Sequence, residues 1–228
     1  MRIIKHRRIN GWVYVRRTGE VTGSIIFHPR YRYGRIIDVD GNKASAWFST
    51  GIKATLGKMG RGGPPDNSSE HYVPDVHGRS HFGIDGAAGL IIYNHGADDE
   101  VRYLLQQRGE CVNLSGTWST PGGGLHYGES PIQGAKREAA EELGSTHISN
   151  LEHTAVITVN YGGWKYHTVL VESLATFTPD ASDATTASES VGTKWVTAAE
   201  AQMLPLHPGF AASFSHIQAV VAEVSGTR

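Results

Sequence analysis

The stretch from Gly122 to Gly144, GGGLHYGESPIQGAKREAAEELG, constrains this chain more than any other. From Ser130 to Leu143 it is rich in Ala, Glu, Lys and Gln, good helix formers, and it ends at a glycine. Ser130-Pro131 supplies an N-cap followed by proline at the first helical position. On that helix Glu138, Glu141 and Glu142 are related by i, i+3 and i+4, so their carboxylates share one face. Carboxylates that close repel unless a cation lies among them. Oxygen-only ligands suit Mg²⁺ or Mn²⁺, with water and substrate phosphate completing the shell. The preceding Pro121-Gly122-Gly123-Gly124 lets backbone approach a metal and phosphates closely. Arg137 can hold one carboxylate in a two-pronged ion pair and aim it. A solvated, salt-bridged helix face would explain an isolated Glu-Glu pair. The coincidence of glycines, arginine and glutamates favours a metal site.

Gly123, Glu129, Arg137, Glu138, Glu141, Glu142 and Gly144 fall in the spacing G-x5-E-x7-R-E-x-x-E-E-x-G. At residue usages of roughly 7% each, such matches in one register arise by chance with a probability of ~10⁻⁸. The pattern resembles the Nudix box, the signature of hydrolases that cleave a nucleoside diphosphate linked to another group. Trp118-Ser119-Thr120-Pro121-Gly122-Gly123 resembles the W-x-x-P-G-G run that leads into that box. Ala139 stands where the family prefers a large aliphatic, and Ser145 also departs from it; both changes concern packing rather than charge.

The resemblance implies an α/β fold, the Nudix α/β/α sandwich with a mixed sheet, over about residues 84–224. It implies a metal-dependent hydrolase cleaving a pyrophosphate bond in a nucleoside triphosphate, nucleotide sugar, ADP-ribose or capped RNA end. Such chemistry needs cations where charge builds on oxygen and a base for the attacking water. By resemblance, Glu138, Glu141 and Glu142 hold Mg²⁺ or Mn²⁺ together with the backbone carbonyl of Gly123. Arg137 belongs to the same catalytic apparatus, and Glu129 has a structural role. The base is Glu138 in some relatives and an acid from outside the box in others; Glu189, six residues before Trp195, is the outside candidate here. Arg108, Tyr161 and Trp164 are candidates for substrate binding, the aromatic pair as a wall for a base. Trp164 could equally plug the end of the sheet.

The rest of the chain divides by charge. Residues 1–82 carry 14 Lys/Arg and 6 Asp/Glu, whereas 83–228 carry 7 and 16. The first region reads as short strands at 12–15, 24–27, 35–39 and 44–48, rich in β-branched and aromatic residues, with turn signals at Thr18-Gly19, His28-Pro29 and Asp40-Gly41-Asn42. The expected organisation is a small basic β-rich domain over 1–59, a Gly/Pro/Ser-rich linker over 60–83 and the hydrolase domain over 84–228. Arg30-Tyr31-Arg32-Tyr33-Gly34-Arg35 interleaves cations with aromatics, as nucleic-acid contacts do and as a half-buried strand with a basic face also does. His71, His77 and His81 match no firm zinc spacing.

Strands are expected at 87–93, 101–107, 154–159, 168–177 and 193–196, a capped helix from Thr197 and an amphipathic helix over 210–224. No apolar run approaches the ~18 residues of a membrane helix, and Cys111 is alone, which points to the cytoplasm. The partner expected is a nucleotide-type small molecule. The opposite charges lead us to expect residues 1–82 to dock on the hydrolase domain of the same chain or of a second subunit, a homodimer. A nucleotide-sensing module and a nucleic-acid-binding protein are the rival readings.

Overall fold

The computed structural model describes residues 7–9, 14–15, 25–28, 32–40, 43–56, 60–61, 71–148 and 150–226. The chain divides into two compact units. One comprises residues 1–87, 124–128 and 159–166, the other 88–123, 129–158 and 167–228. Trp12-Val13, Thr18-Gly19, Pro29, Arg30-Tyr31, Gly41-Asn42 and residues 62–70 of the expected linker lie outside the described residues.

In the first unit, strands β1 (Arg7–Ile9), β2 (Tyr14–Val15), β3 (Ile25–His28), β4 (Arg32–Asp40), β5 (Lys43–Phe48), β6 (Lys53–Leu56) and β7 (Gly60–Arg61) form one sheet. Its order is β1-β6-β5-β4-β3-β2-β7; the outer pairs β1–β6 and β2–β7 are parallel and the inner pairs antiparallel. Within the expected linker, Gly60–Arg61 form β7 of that sheet, and residues 72–82 form a hairpin, β8 (Tyr72–Pro74) with β9 (Ser80–Phe82). Asp75 organises the turn. It is fully buried and accepts from the backbone N–H of His77 and Arg79, from Arg79 Nε at 2.6 Å, and bonds His81 Nε2 at 3.2 Å. Arg35, also buried, donates from Nε to Pro74 O; burial lowers its pKa to about 10, against the pull of Asp75. Tyr33, Val73, Ile84, Ala87 and Trp164 are the apolar centre of this unit.

The second unit holds most of a mixed sheet built from β10 (Ala87–His95), β11 (Val101–Arg108), β12 (Trp118–Ser119), β13 (Gly122–Gly124), β14 (His153–Asn160), β15 (Lys165–Glu172) and β16 (Ser190–Thr197). The order is β12-β11-β10-β15-β14, with β13 also on β10 and β16 also on β11. β10 is buried along its length except at His95, as its apolar run requires. Alternation on β11 assigns the faces. Tyr103 and Leu105 join Ile91, Tyr93, Leu170 and Val196 in a core closed by Phe210, Phe214, Ile217 and Val221 of α3 (Pro208–Gly226). Leu104 and Gln106 point to the opposite face, where Gln106 meets α1 (Pro131–Leu143). Ser130 caps α1 and forms a reciprocal capping box with Gln133, and Gly144, at φ 90°, ends it.

The short α2 (Ala198–Gln202) starts on the expected Thr197–Glu200 capping box. One expected element is shorter. Residues 174–177 leave the sheet because Ser173 turns the chain, its hydroxyl donating to Ala175 O, and Leu174 is 97% exposed. Among the described residues, no helix is long and apolar enough to cross a membrane.

Candidate active site

Gly123, Glu129, Arg137, Glu138, Glu141, Glu142 and Gly144 all lie in the second unit, on β13, on α1 or in the residues that flank α1. Arg137 is the hub. Its Nε and Nη2 reach the two oxygens of Glu129 at 2.9 and 3.0 Å, a fork on a carboxylate. Its Nη1 donates to Glu138 Oε1 at 2.8 Å and to Glu141 Oε2 at 3.0 Å. Glu129 thus anchors the guanidinium, which in turn holds two of the three helix-face glutamates.

Glu142 is held differently. It is 4% exposed, accepts at Oε1 from the backbone N–H of Gly122 at 2.8 Å, and accepts at Oε2 from the side-chain amide of Gln106. Gly123 approaches so closely that a Cβ there would lie 2.5 Å from Glu138 Oε2 and 2.6 Å from its carboxyl carbon. Only glycine brings backbone to this distance from the acid.

Burial pushes the Glu138 carboxyl up to about 7; Arg137 pulls it back, and the charges of Glu141 and Glu189 add to the rise. Burial likewise pushes Glu142 up to about 7, opposed by Gln106 and Gly122 and reinforced by Glu138 and Glu189. Two acids raised together, with a third carboxylate in reach of both, are an environment that a cation would relieve. Among the described residues no three His, Cys, Asp or Glu side chains already converge as a ready-made cage; Arg137 bridges Glu138 and Glu141. The donors on offer are carboxylate oxygens and the Gly123 backbone, a hard set that fits Mg²⁺ or Mn²⁺ better than Zn²⁺.

Glu189 ends the 3₁₀ turn Ala187–Glu189, before β16. Two backbone bonds fasten this segment to the site: Thr186 N–H to Glu141 O at 2.8 Å, and Gly109 N–H to Glu189 O at 2.7 Å. The outside candidate for the base is therefore brought to the box glutamates. Arg108, at the end of β11, pairs with Ser190 beside it and donates from Nε to Asn113 O at 2.9 Å.

Tyr161 and Trp164 belong to the first unit. Trp164 is 7% exposed, stacks on His81 with ring centroids 4.4 Å apart, and donates from its indole N–H to Gly83 O at 2.8 Å. That geometry favours Trp164 as a core plug. Tyr161 is half-buried at the edge of the same cluster.

Gln106, which bonds Glu142, lies outside the motif and is not among the residues expected from the sequence. Its signal was faint: a glutamine on the inward face of a strand whose previous inward residue is Leu104.

The family model for the NUDIX domain matches residues 84–216. A Mycobacterium tuberculosis protein carrying the provisional name 8-oxo-dGTP diphosphatase 3 is 34% identical over 158 residues, spanning 67% of this chain and 70% of that protein. The crystal structure of RenU, a Nudix hydrolase from M. smegmatis, is similar with a TM-score of 0.56 and 28% identity, covering 67% of this chain and 96% of that one. A Bifidobacterium longum nucleoside triphosphate pyrophosphatase/Nudix hydrolase fusion protein is 33% identical over 129 residues, 55% of this chain and 26% of the fusion. The chain belongs to the NUDIX family. It is an enzyme of the pyrophosphohydrolase class, acting on acid anhydrides in phosphorus-containing substrates.

Proposed function

We propose that the chain is a divalent-metal-dependent pyrophosphohydrolase of nucleoside triphosphates, with 8-oxo-dGTP the first substrate to test. The observation that carries the metal-dependent part is the acid cluster organised by Arg137 and Gly122-Gly123. The substrate class rests on similarity to the mycobacterial relative, most of whose length is matched.

In this reading Glu138, Glu141 and Glu142, with the Gly123 carbonyl, hold Mg²⁺ or Mn²⁺. The metal supplies positive charge to phosphate oxygens on which negative charge builds. The chain's own residues do the rest. Arg137 keeps Glu138 and Glu141 aimed, and Gly123 keeps the space beside Glu138 clear. Either Glu138 or Glu189 takes a proton from the water that attacks phosphorus. The P–O anhydride bond then breaks, and the leaving phosphate departs with its electron pair. Arg108, at the end of β11, supplies a cation for a distal phosphate. A reducing cytoplasm suits the exposed, free thiol of Cys111.

A panel of 8-oxo-dGTP, dGTP, ADP-ribose, a nucleotide sugar, a dinucleoside polyphosphate and capped RNA, each with Mg²⁺ and with chelator, tests the reading. Highest kcat/KM on a triphosphate supports it. Preference for ADP-ribose or a nucleotide sugar would retain the chemistry and reject the substrate class.

A further inference from the structure

Gln106 occupies an inward position of β11 and is 1% exposed. A carboxamide there loses its hydration and must recover it in hydrogen bonds. Its Nε2 donates to Glu142 Oε2, but its Oε1 is buried with no hydrogen-bond partner among the described residues. Leucine or methionine would fill the position without burying an unsatisfied acceptor, so packing alone gives no reason for glutamine. The bond to Glu142 does.

The other oxygen of Glu142 accepts from Gly122 N–H. The two donors come from different strands, β11 and β13, and grip the two ends of one carboxylate. Together they fix its rotation as well as its position. Arg137 gives this service to Glu138 and Glu141; Gln106 gives it to Glu142.

We propose that Gln106 is a positioning residue for Glu142, holding its carboxylate in the orientation from which it ligates the divalent metal. The proposal rests on the reading of Glu142 as a metal ligand. A ligand already fixed by two donors has little rotamer freedom left to lose when a cation binds. Loss of partners that orient a ligand costs roughly 10–100-fold in metal affinity or activity.

The test uses the full chain as wild type, Gln106→Met, Glu142→Gln and the double variant. Mn²⁺ affinity is read from the paramagnetic resonance of free Mn²⁺, beside activity on the best panel substrate and thermal melting in chelator. Methionine keeps the length of the side chain and removes both its donor and its unsatisfied acceptor. We expect Gln106→Met to weaken Mn²⁺ binding about tenfold or more, with melting unchanged or raised. In the Glu142→Gln background the same change should weaken it no further. Unchanged Mn²⁺ affinity in Gln106→Met, or losses that multiply in the double variant, overturns the proposal.

Gln106→Leu gives a second reading should methionine disturb folding. Leucine has no donor for Glu142, so normal Mn²⁺ affinity in that variant also overturns the proposal. Wild-type Mn²⁺ affinity in Glu142→Gln would instead reject Glu142 as a ligand and remove the premise.

Discussion

Glu138 and Glu142 have carboxyls raised by burial to about 7, from an ordinary 4.5. The metal-free folded chain therefore binds more protons than the unfolded one between these values, and its stability falls as pH rises across them. Glu142→Gln deletes one of the two contributions. In chelator, its melting temperature should gain on the wild type's as pH climbs from 5 to 8, while its turnover with metal drops about 100-fold or more. A stability gap that does not widen with pH would mean that Glu142 carries no penalised buried charge. The choice of base is also settled at single residues. Saturating metal partly rescues a lost ligand but cannot replace a lost base. We expect Glu189→Gln to stay impaired at saturating Mg²⁺ and Glu138→Gln to recover in part, because Arg137 already engages Glu138. The opposite pattern assigns the base to Glu138, and full rescue of both excludes each.

Whole elements were legible in the sequence where their information is local. The cap, the proline start and the glycine stop of α1 are written within a few residues, and so is the capping box of α2. The apolar run of β10 reads equally well. The β8–β9 hairpin did not. Its turn is held by donors converging on buried Asp75, and its apolar side is completed by Trp164, about eighty residues away. No local pattern encodes either. Gln106 was missed for the same reason, since its partner Glu142 is 36 residues downstream. The hairpin makes its own prediction. Burial pushes Asp75 up, but its donors outweigh this and hold it at about 2, below the ordinary 3.8. Its stabilisation is complete above 3.8 and is lost as pH falls through about 2. Asp75→Asn, which turns an amide toward donors, should lower the melting temperature at pH 7 and narrow its gap to wild type below pH 4. A gap independent of pH would remove Asp75 as the cause.

For the whole molecule, the family match starts at residue 84, yet the first unit draws residues 124–128 and 159–166 into the company of 1–87. A chain beginning at residue 84 would lack Tyr33, Val73, His81 and Gly83, which enclose Trp164 or accept its N–H. Exposing a buried aromatic costs on the order of 2 kcal/mol. We expect residues 84–228 to melt below 71–228, and 71–228 below the full chain. Equal melting of all three would show that residues 1–83 contribute nothing to that cluster. The central claim, that an Arg137-organised acid cluster hydrolyses a nucleotide anhydride with a divalent metal, has a direct test. The full chain and Glu142→Gln are incubated with 8-oxo-dGTP in Mg²⁺, Mn²⁺, Zn²⁺ or chelator, and nucleoside monophosphate and pyrophosphate are quantified. The account predicts stoichiometric release of both with Mg²⁺ or Mn²⁺, none in chelator, and a loss of about 100-fold or more in the variant. Release that persists in chelator, needs Zn²⁺ alone, or survives Glu142→Gln undiminished would contradict it.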